Sequence, residues 1–297
     1  MIALHLVGNC QIESIEYLIE HMIPDAVVKG FDFSRRETQN AAARQAFREG
    51  AGQADIILVH PNGKDFLDHV SLKRDFPDKC FVIANLYFRG LHPDSCYLGA
   101  IEDRFEQPSL YHSVAVLDAF KRGLSEKKAV AEAFDPDNFM RLGLFEAWDS
   151  SLEEMRRYDA ASDLPATGLI DGYCREFPGF LTLNHPCLAL TALYLAAVFE
   201  KIGVAYRQPN LAVLKDPLTR HDVLPVHDMV AEYYGLPYRT TQHWMIEHKG
   251  RRFVDRADYV RLCFAAYRKI AAKRLTVHSP LDLQRTLQRN PALAHLV

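Results

Sequence analysis

Over the first hundred positions, apolar residues fall in short continuous runs, each separated from the next by a stretch with helical spacing. Ile2 to Val7 is one such run, stopped by Gly8-Asn9. Ile12, Ile15, Leu18, Ile19, Met22 and Ile23 then recur at the spacing of one helix face, closed by Pro24-Asp25. Residues 26–33 read as a second strand, residues 36–49 as an alanine-rich helix ending at Gly50, and residues 55–59 as a buried third strand. Residues 64–74 read as a helix and residues 80–84 as a fourth strand. Fully apolar strands alternating with helices predict an α/β fold, with a mostly parallel sheet covered on both faces in roughly the first 105 residues.

After Pro108 helical patterns dominate, over residues 110–123, 125–134, 138–148 and 152–160. The last of these opens with a capping-box pattern, Ser151-x-x-Glu154. Residues 187–202 form a long helical run with Pro186 at its first position and Gly203 at its end. Residues 244–253 read as a hairpin turning at Lys249-Gly250, and residues 257–274 and 281–288 as two amphipathic helices. Without repeats or a low-complexity linker, residues 1–297 read as a single compact domain. Within it, residues 1–108 form an α/β subdomain, and the mainly helical residues 109–297 pack on it.

Composition narrows the function classes. With 48% hydrophobic and 25% charged residues the chain is an ordinary globular one, and a net charge of −3 supplies no field for nucleic acid or anionic lipid. No run approaches the ~18 apolar residues of a membrane span. The N-terminal apolar run is too short for a secretory segment. Six cysteines lie scattered without CxxC pairs, which predicts free thiols in a reducing, cytoplasmic compartment and no structural zinc. Walker A, G-x-G-x-x-G and G-x-S-x-G motifs are absent, which disfavours nucleotide hydrolysis, nicotinamide chemistry and a standard α/β-hydrolase.

Ligands of open parallel sheets bind outside the carboxyl ends of the strands, and here those ends carry the chemistry. Strand one runs into Gly8-Asn9-Cys10-Gln11, strand three into His60-Pro61-Asn62-Gly63, and strand four into the segment from Asn85 to Pro93. Cys10 falls at a strand-to-helix turn, where unpaired N–H groups and the helix dipole favour a thiolate. The amides of Asn9 and Gln11 are candidate oxyanion donors. His185, before Pro186, is expected at a helix N-cap, where the dipole keeps the imidazole neutral and able to act as a base. For Cys10 and His185, and for His60 and His92, the spacing is equally that of buried structural residues. No HxxxH or CxxC spacing links these residues, so no metal is expected.

The phrases Val7-Gly8-Asn9-Cys10-Gln11, Asn85-Leu86-Tyr87-Phe88-Arg89-Gly90-Leu91-His92-Pro93-Asp94 and Asn184-His185-Pro186 resemble the WcbI family of capsular-polysaccharide biosynthesis enzymes, over about the first 205 residues. The opening also looks like that of SGNH hydrolases with Cys10 in place of serine, although no acid stands three residues before His185. The WcbI resemblance implies a cradle-like fold and a cytosolic enzyme that binds coenzyme A. It also implies acetyl transfer from acetyl-coenzyme A to a sugar or nucleotide-sugar hydroxyl. It places Cys10 and His185 at the centre, with Gln11 and Asn85 near them. A coenzyme A phosphate would need cations, for which Arg89 comes first, then Lys64 and Lys215. A Cys-His esterase or thioesterase, and a non-catalytic coenzyme A-binding subunit, are the rival readings. The basic stretch Arg256, Arg261, Arg268, Lys269, Lys273 and Arg274 could dock a partner enzyme of the pathway.

Overall fold

The computed structural model of the chain describes residues 1–34, 40–61, 68–100, 103–247, 250 and 252–297. In chain order the α/β part comprises β1 (Ile2–Gly8), α1 (Ile12–Met22), β2 (Ala26–Asp32), α2 (Ala41–Gln53), β3 (Ile56–Val59), α3 (His69–Asp75) and β4 (Cys80–Val82). There follow β5 (Ser95–Leu98), β6 (His112–Ser113), α4 (Val114–Lys121), α5 (Glu126–Glu132), α6 (Pro136–Arg141), α7 (Ala147–Asp159) and α8 (Thr167–Glu176). The remainder is β7 (Phe180–Thr182), β8 (His185–Pro186), α9 (Leu188–Ile202), α10 (Asp228–Tyr233), β9 (Trp244–Ile246), β10 (Arg252–Val254), α11 (Arg256–Tyr267), β11 (Val277–Ser279) and α12 (Leu281–Gln288). No helix among the described residues is long and apolar enough to cross a membrane.

The chain divides into two compact units, each built from three segments. The first takes residues 1–86, 155–172 and 185–218; the second takes residues 87–154, 173–184 and 219–297.

The first unit is organised by a four-stranded sheet in the order β2-β1-β3-β4, parallel throughout, as the apolar runs predict. Val7 joins Phe31, Ala51, Ile57, Val59 and Leu72 in one cluster on one face. Leu4 and Leu6, of opposite parity along β1, are buried on the other. Each such side chain contributes on the order of 1.5–3 kcal/mol through removal from water. The strand order reverses between β1 and β3: the chain leaves β1 toward β2 on one side, then crosses to β3 on the other. Their carboxyl ends, Gly8 and Val59, lead directly into Asn9-Cys10 and His60.

Local signals misplace several boundaries. α2 runs through Gly50 to Gln53 instead of ending there, because the missing side chain lets the helix lie close to His5 (a Cβ would stand 2.9 Å from its Cε1). Asp68 caps α3 by accepting from the Ser71 N–H at 2.9 Å. The starts expected for α2 and α3 fall partly outside the described residues. The helix expected over 138–148 is interrupted at Gly143, whose φ of 68° is the left-handed conformation that glycine tolerates. The run expected over 110–123 begins as β6 and turns helical where the Ser113 side chain accepts from the Val116 N–H.

The capping box at Ser151-x-x-Glu154 is overturned, since α7 begins at Ala147 and both residues lie inside it. Their side chains are taken by tertiary partners instead. The Ser151 hydroxyl accepts from the Arg89 N–H at 3.1 Å, and Glu154 pairs with Arg285 at 2.5 Å.

In the second unit β5 pairs antiparallel with β6 and β11, and β9 with β10 in the expected hairpin. At its centre is a buried ion pair. The Arg89 guanidinium donates from Nε to Asp282 Oδ2 at 2.9 Å and from Nη1 to the Pro93 carbonyl, and its Nη2 lies 2.9 Å from the same Asp282 oxygen as an ion-pair contact. The Tyr87 hydroxyl donates to the other Asp282 oxygen at 2.7 Å. Burial opposes charge on Asp282, yet Arg89 and Tyr87 hold its carboxyl below the usual carboxylate range. The basic stretch is also largely paired within this unit. Arg261 meets Asp258, Arg268 meets Glu126, Arg274 meets Asp103, and Arg256 lies over the Phe134 ring. The helix there ends at Tyr267, short of the expected 274.

Three fully buried histidines, His60 in the first unit and His92 and His112 in the second, have pKa values lowered from 6.5 to about 4, above all by burial. The unfolded chain therefore binds protons at these sites before the folded one does, and stability falls as pH drops from about 6.5 toward 4. Each site can account for about 3 kcal/mol by the lower end of that window. Urea melts at pH 7, 5.5 and 4.5 are expected to show this loss, with a shallower slope in His112→Gln; a stability independent of pH over that range would contradict it. Replacing Asp282 by alanine strands Arg89 in the interior and is expected to cost about 3–5 kcal/mol in the same assay.

Candidate active site

The site assembles in the first unit, at the carboxyl end of its sheet, where β1 leads into α1 within three residues. The Asn9 carbonyl accepts from the Ile12 N–H at 3.0 Å, and the Cys10 carbonyl from the Glu13 N–H at 3.3 Å, so Cys10 lies on the first turn leading into α1. The Asn9 side chain accepts from the Gln11 N–H at 3.1 Å, closing an Asx turn around the cysteine. Gly8 makes the turn possible. A Cβ there would stand 2.5 Å from Ile12 Cγ2 and 2.6 Å from His60 Nδ1.

Cys10 and His185 meet: Sγ lies 3.3 Å from Nε2, although 175 residues separate them in sequence. The cysteine is half-buried and the histidine buried. His185 does not occupy the expected N-cap of α9. It lies in β8, Cys187 is the N-cap, and α9 begins at Leu188. Cys187 is extended (ψ 156°), and the Leu188 N–H is satisfied by a residue distant in sequence, Asp216 at 2.8 Å. A thiol within hydrogen-bonding distance of an imidazole is the arrangement by which histidine withdraws a proton from a nucleophilic cysteine.

Asn85 is brought to the same place. Its Oδ1 accepts from Asn9 Nδ2 at 3.0 Å, and no other bond among the described residues engages its amide nitrogen. The end of β4 is held there by Tyr194 of α9, whose hydroxyl accepts from the Ala84 N–H at 2.6 Å and donates to the Leu164 carbonyl at 2.9 Å. Gln11 takes a different part from the oxyanion donor expected. Its buried amide donates to the Leu86 carbonyl at 2.7 Å and accepts from the Leu86 N–H at 3.1 Å, clamping the chain beside Asn85.

The remaining candidates separate. His60 packs against Gly8 at the mouth of β3, neutral by burial. Lys215 is exposed in the same unit, one residue before Asp216. Lys64 lies outside the described residues. Arg89 and His92 belong to the second unit. Arg89 is enclosed and neutralised by Asp282, which leaves it no open face for a phosphate, and His92 nitrogens face the carbonyls of Phe180 at 3.1 Å and Pro225 at 3.3 Å. Among the described residues no three His, Cys, Asp or Glu side chains group as metal ligands. Asp216 and Tyr194 went unanticipated; no motif marks either, and only their partners reveal them.

Residues 3–207 match the family of the polysaccharide biosynthesis enzyme WcbI, about two thirds of the chain. The chain belongs to the WcbI family. One solved structure is similar in fold over 98% of this chain and 96% of its own, with a TM-score of 0.71 at 16% identity. It is described as WcbI, a polysaccharide biosynthesis enzyme, in a native form without a disulfide bond between coenzyme A and one of its cysteines. No curated protein sequence matches the chain.

In this WcbI-family chain the turn at Gly8 leaves no room for a side chain. Gly8→Ala is expected to lower stability by about 1–3 kcal/mol through overpacking. Urea melts of purified protein check this, and an unchanged midpoint would mean that His60 and Ile12 can move aside.

Proposed function

We propose that the protein is an acyltransferase, moving an acetyl group from acetyl-coenzyme A to a sugar hydroxyl of a capsular or exopolysaccharide precursor in the cytoplasm. The observation that carries this reading is the 3.3 Å approach of Cys10 Sγ to His185 Nε2 at the reversal point of a parallel sheet. Membership of a polysaccharide biosynthesis family supports it. So does the similar solved structure, a WcbI described as a native form without a disulfide bond between coenzyme A and one of its cysteines.

The residues present fit an acyl thioester substrate. The thiol and both asparagines, Asn9 and Asn85, are half-exposed, whereas His185 and Gln11 behind them are buried. The reacting face is therefore open and its support closed. Lys215, exposed beside Asp216, offers an ammonium group to a phosphate. Arg89 is withdrawn from that role by its burial.

The chemistry balances on the protein's own groups. Cys10 sulfur bonds to the acyl carbon as its proton passes to His185, and the departing coenzyme thiolate takes that proton. The acceptor hydroxyl then gives its proton to His185, its oxygen bonds to the acyl carbon, and the Cys10 sulfur leaves to recover the proton. Because one thioester replaces another in the first half, the group is not spent. A direct route, in which His185 takes the hydroxyl proton while Cys10 only lines the site, needs the same base. General base catalysis contributes roughly 10²–10⁴-fold in either route.

Two measurements test the reading. Calorimetric titration with coenzyme A, with dephospho-coenzyme A as control, is expected to show binding that weakens without the 3′-phosphate and weakens again in Lys215→Ala. Acetyl-coenzyme A turnover with a sugar acceptor is expected to fall at least ~100-fold in His185→Ala, and Cys10→Ala separates the two routes by stopping only the covalent one. Absence of coenzyme A binding would remove the transferase. Acyl loss at an unchanged rate without any acceptor would make the protein a thioesterase.

A further inference from the structure

Asp216 lies in the loop after α9, beyond the residues that match the family. Its carboxylate is committed on both oxygens. Oδ2 accepts from the Leu188 N–H, the first residue of α9, at 2.8 Å, and Oδ1 accepts from the Leu218 N–H at 2.9 Å. Ser14, buried in the first turn of α1, favours the charge of this carboxylate. Burial acts the other way and raises the Asp216 pKa.

These contacts fall at informative places. Leu188 is three residues after His185, and Ser14 four residues after Cys10. One side chain thus holds the start of α9, just after His185, and interacts electrostatically with Ser14 of α1, just after Cys10. The N-cap residue of α9, Cys187, makes no capping bond with its side chain, and Asp216 supplies the acceptor from a distant part of the chain. A carboxylate at the N-terminus of α9 is also favoured by that helix's dipole, which works against its partial desolvation.

We infer that Asp216 is a positioning residue of the Cys10–His185 pair, anchoring the start of α9 three residues after His185 and so fixing the approach of the imidazole to the thiol. In its consequence for turnover this rests on the acyl-transfer reading; the pairing itself does not. Without Asp216 the start of α9 loses its acceptor, and His185 is free to drift from the sulfur. Displacements of about 1 Å at a reacting centre cost on the order of 100-fold in rate.

The test reads the thiol directly. The rate of iodoacetamide alkylation of Cys10 is followed from pH 5 to 10, by peptide mass spectrometry to separate it from the other cysteines. His185→Ala is expected to raise the apparent pKa of Cys10, and Asp216→Ala to move it in the same direction, with about tenfold less thiolate near neutral pH for each unit. Asp216→Asn, which keeps one carbonyl acceptor for Leu188, is expected to fall between wild type and alanine, and is the variant to read if alanine does not fold. Ile57→Val and Leu72→Ala, in the core away from the pair, serve as controls that lose stability by packing alone. In turnover, Asp216→Asn is expected to lower kcat with little change in the KM for the acyl donor. The inference is overturned if Asp216 variants keep the wild-type alkylation profile, if His185→Ala also keeps it, or if the packing controls shift it equally. Alkylation needs no acyl donor, so a wild-type protein that transfers no acetyl group would remove the proposed function and leave this result standing.

Discussion

Everything at the site depends on how closely the chain can turn at the end of β1. β1 lies between β2 and β3, and its neighbours end level with it. Here His60 follows β3 directly and Ile12 opens α1, and their side chains fill the volume that a Cβ on Gly8 would need. The chain therefore changes from strand to helix across Asn9, Cys10 and Gln11, and each of those side chains is assigned by the tightness of the turn. Asn9 closes it by accepting from the Gln11 N–H, Gln11 reaches back to the Leu86 backbone, and Cys10 is left half-exposed beside His185.

The two units meet the cost of burying polar groups differently. In both, histidine burial is answered by neutrality, as at His60 and His92, and in the first, backbone groups at the ends of elements are taken up by single side chains such as Tyr194 and Asp216. In the second, a full charge is buried and answered by a full countercharge, Arg89 against Asp282, with Tyr87 and the Pro93 carbonyl completing the set. Such a pair is weak as a source of net stability but severe when broken. That severity makes Arg89 a structural cation rather than a phosphate ligand. The phrase that carries the family resemblance, from Asn85 to Asp94, thus splits between the two units: Asn85 and Leu86 face the thiol's turn, whereas Tyr87 and Arg89 belong to the buried network.

Errors in reading local signals share one cause. Ser151 and Glu154 have the spacing of a capping box, His185-Pro186 that of a helix start, and Gly50 that of a helix stop. Each pattern states what a residue can do for its neighbours in sequence. In the folded chain those residues are engaged by partners far away: Arg89 and Arg285 for the capping box, Cys10 for His185, and His5 for Gly50. A tertiary contact that removes a polar group from water, or lets two elements approach, outweighs a capping preference of about 1 kcal/mol.

The sequence by itself determined the parallel sheet, because unbroken apolar runs such as residues 56–59 can be satisfied only by burial on both faces. It also determined that Cys10 would stand at a strand-to-helix turn, since Gly8-Asn9 ends one periodicity and Ile12 begins the other. The family resemblance pointed to His185 as the partner of that cysteine, but the physical choice among the histidines is made only in the tertiary structure. His60, His92 and His185 carry the same Pro-flanked signature, and nothing in local propensity ranks them. His60 was taken by burial against Gly8 and His92 by the carbonyls of Phe180 and Pro225, and His185 was brought to the sulfur by the placement of α9. A thiol–imidazole contact across 175 residues is set by the packing of whole elements, and that information lies in no segment of the chain alone.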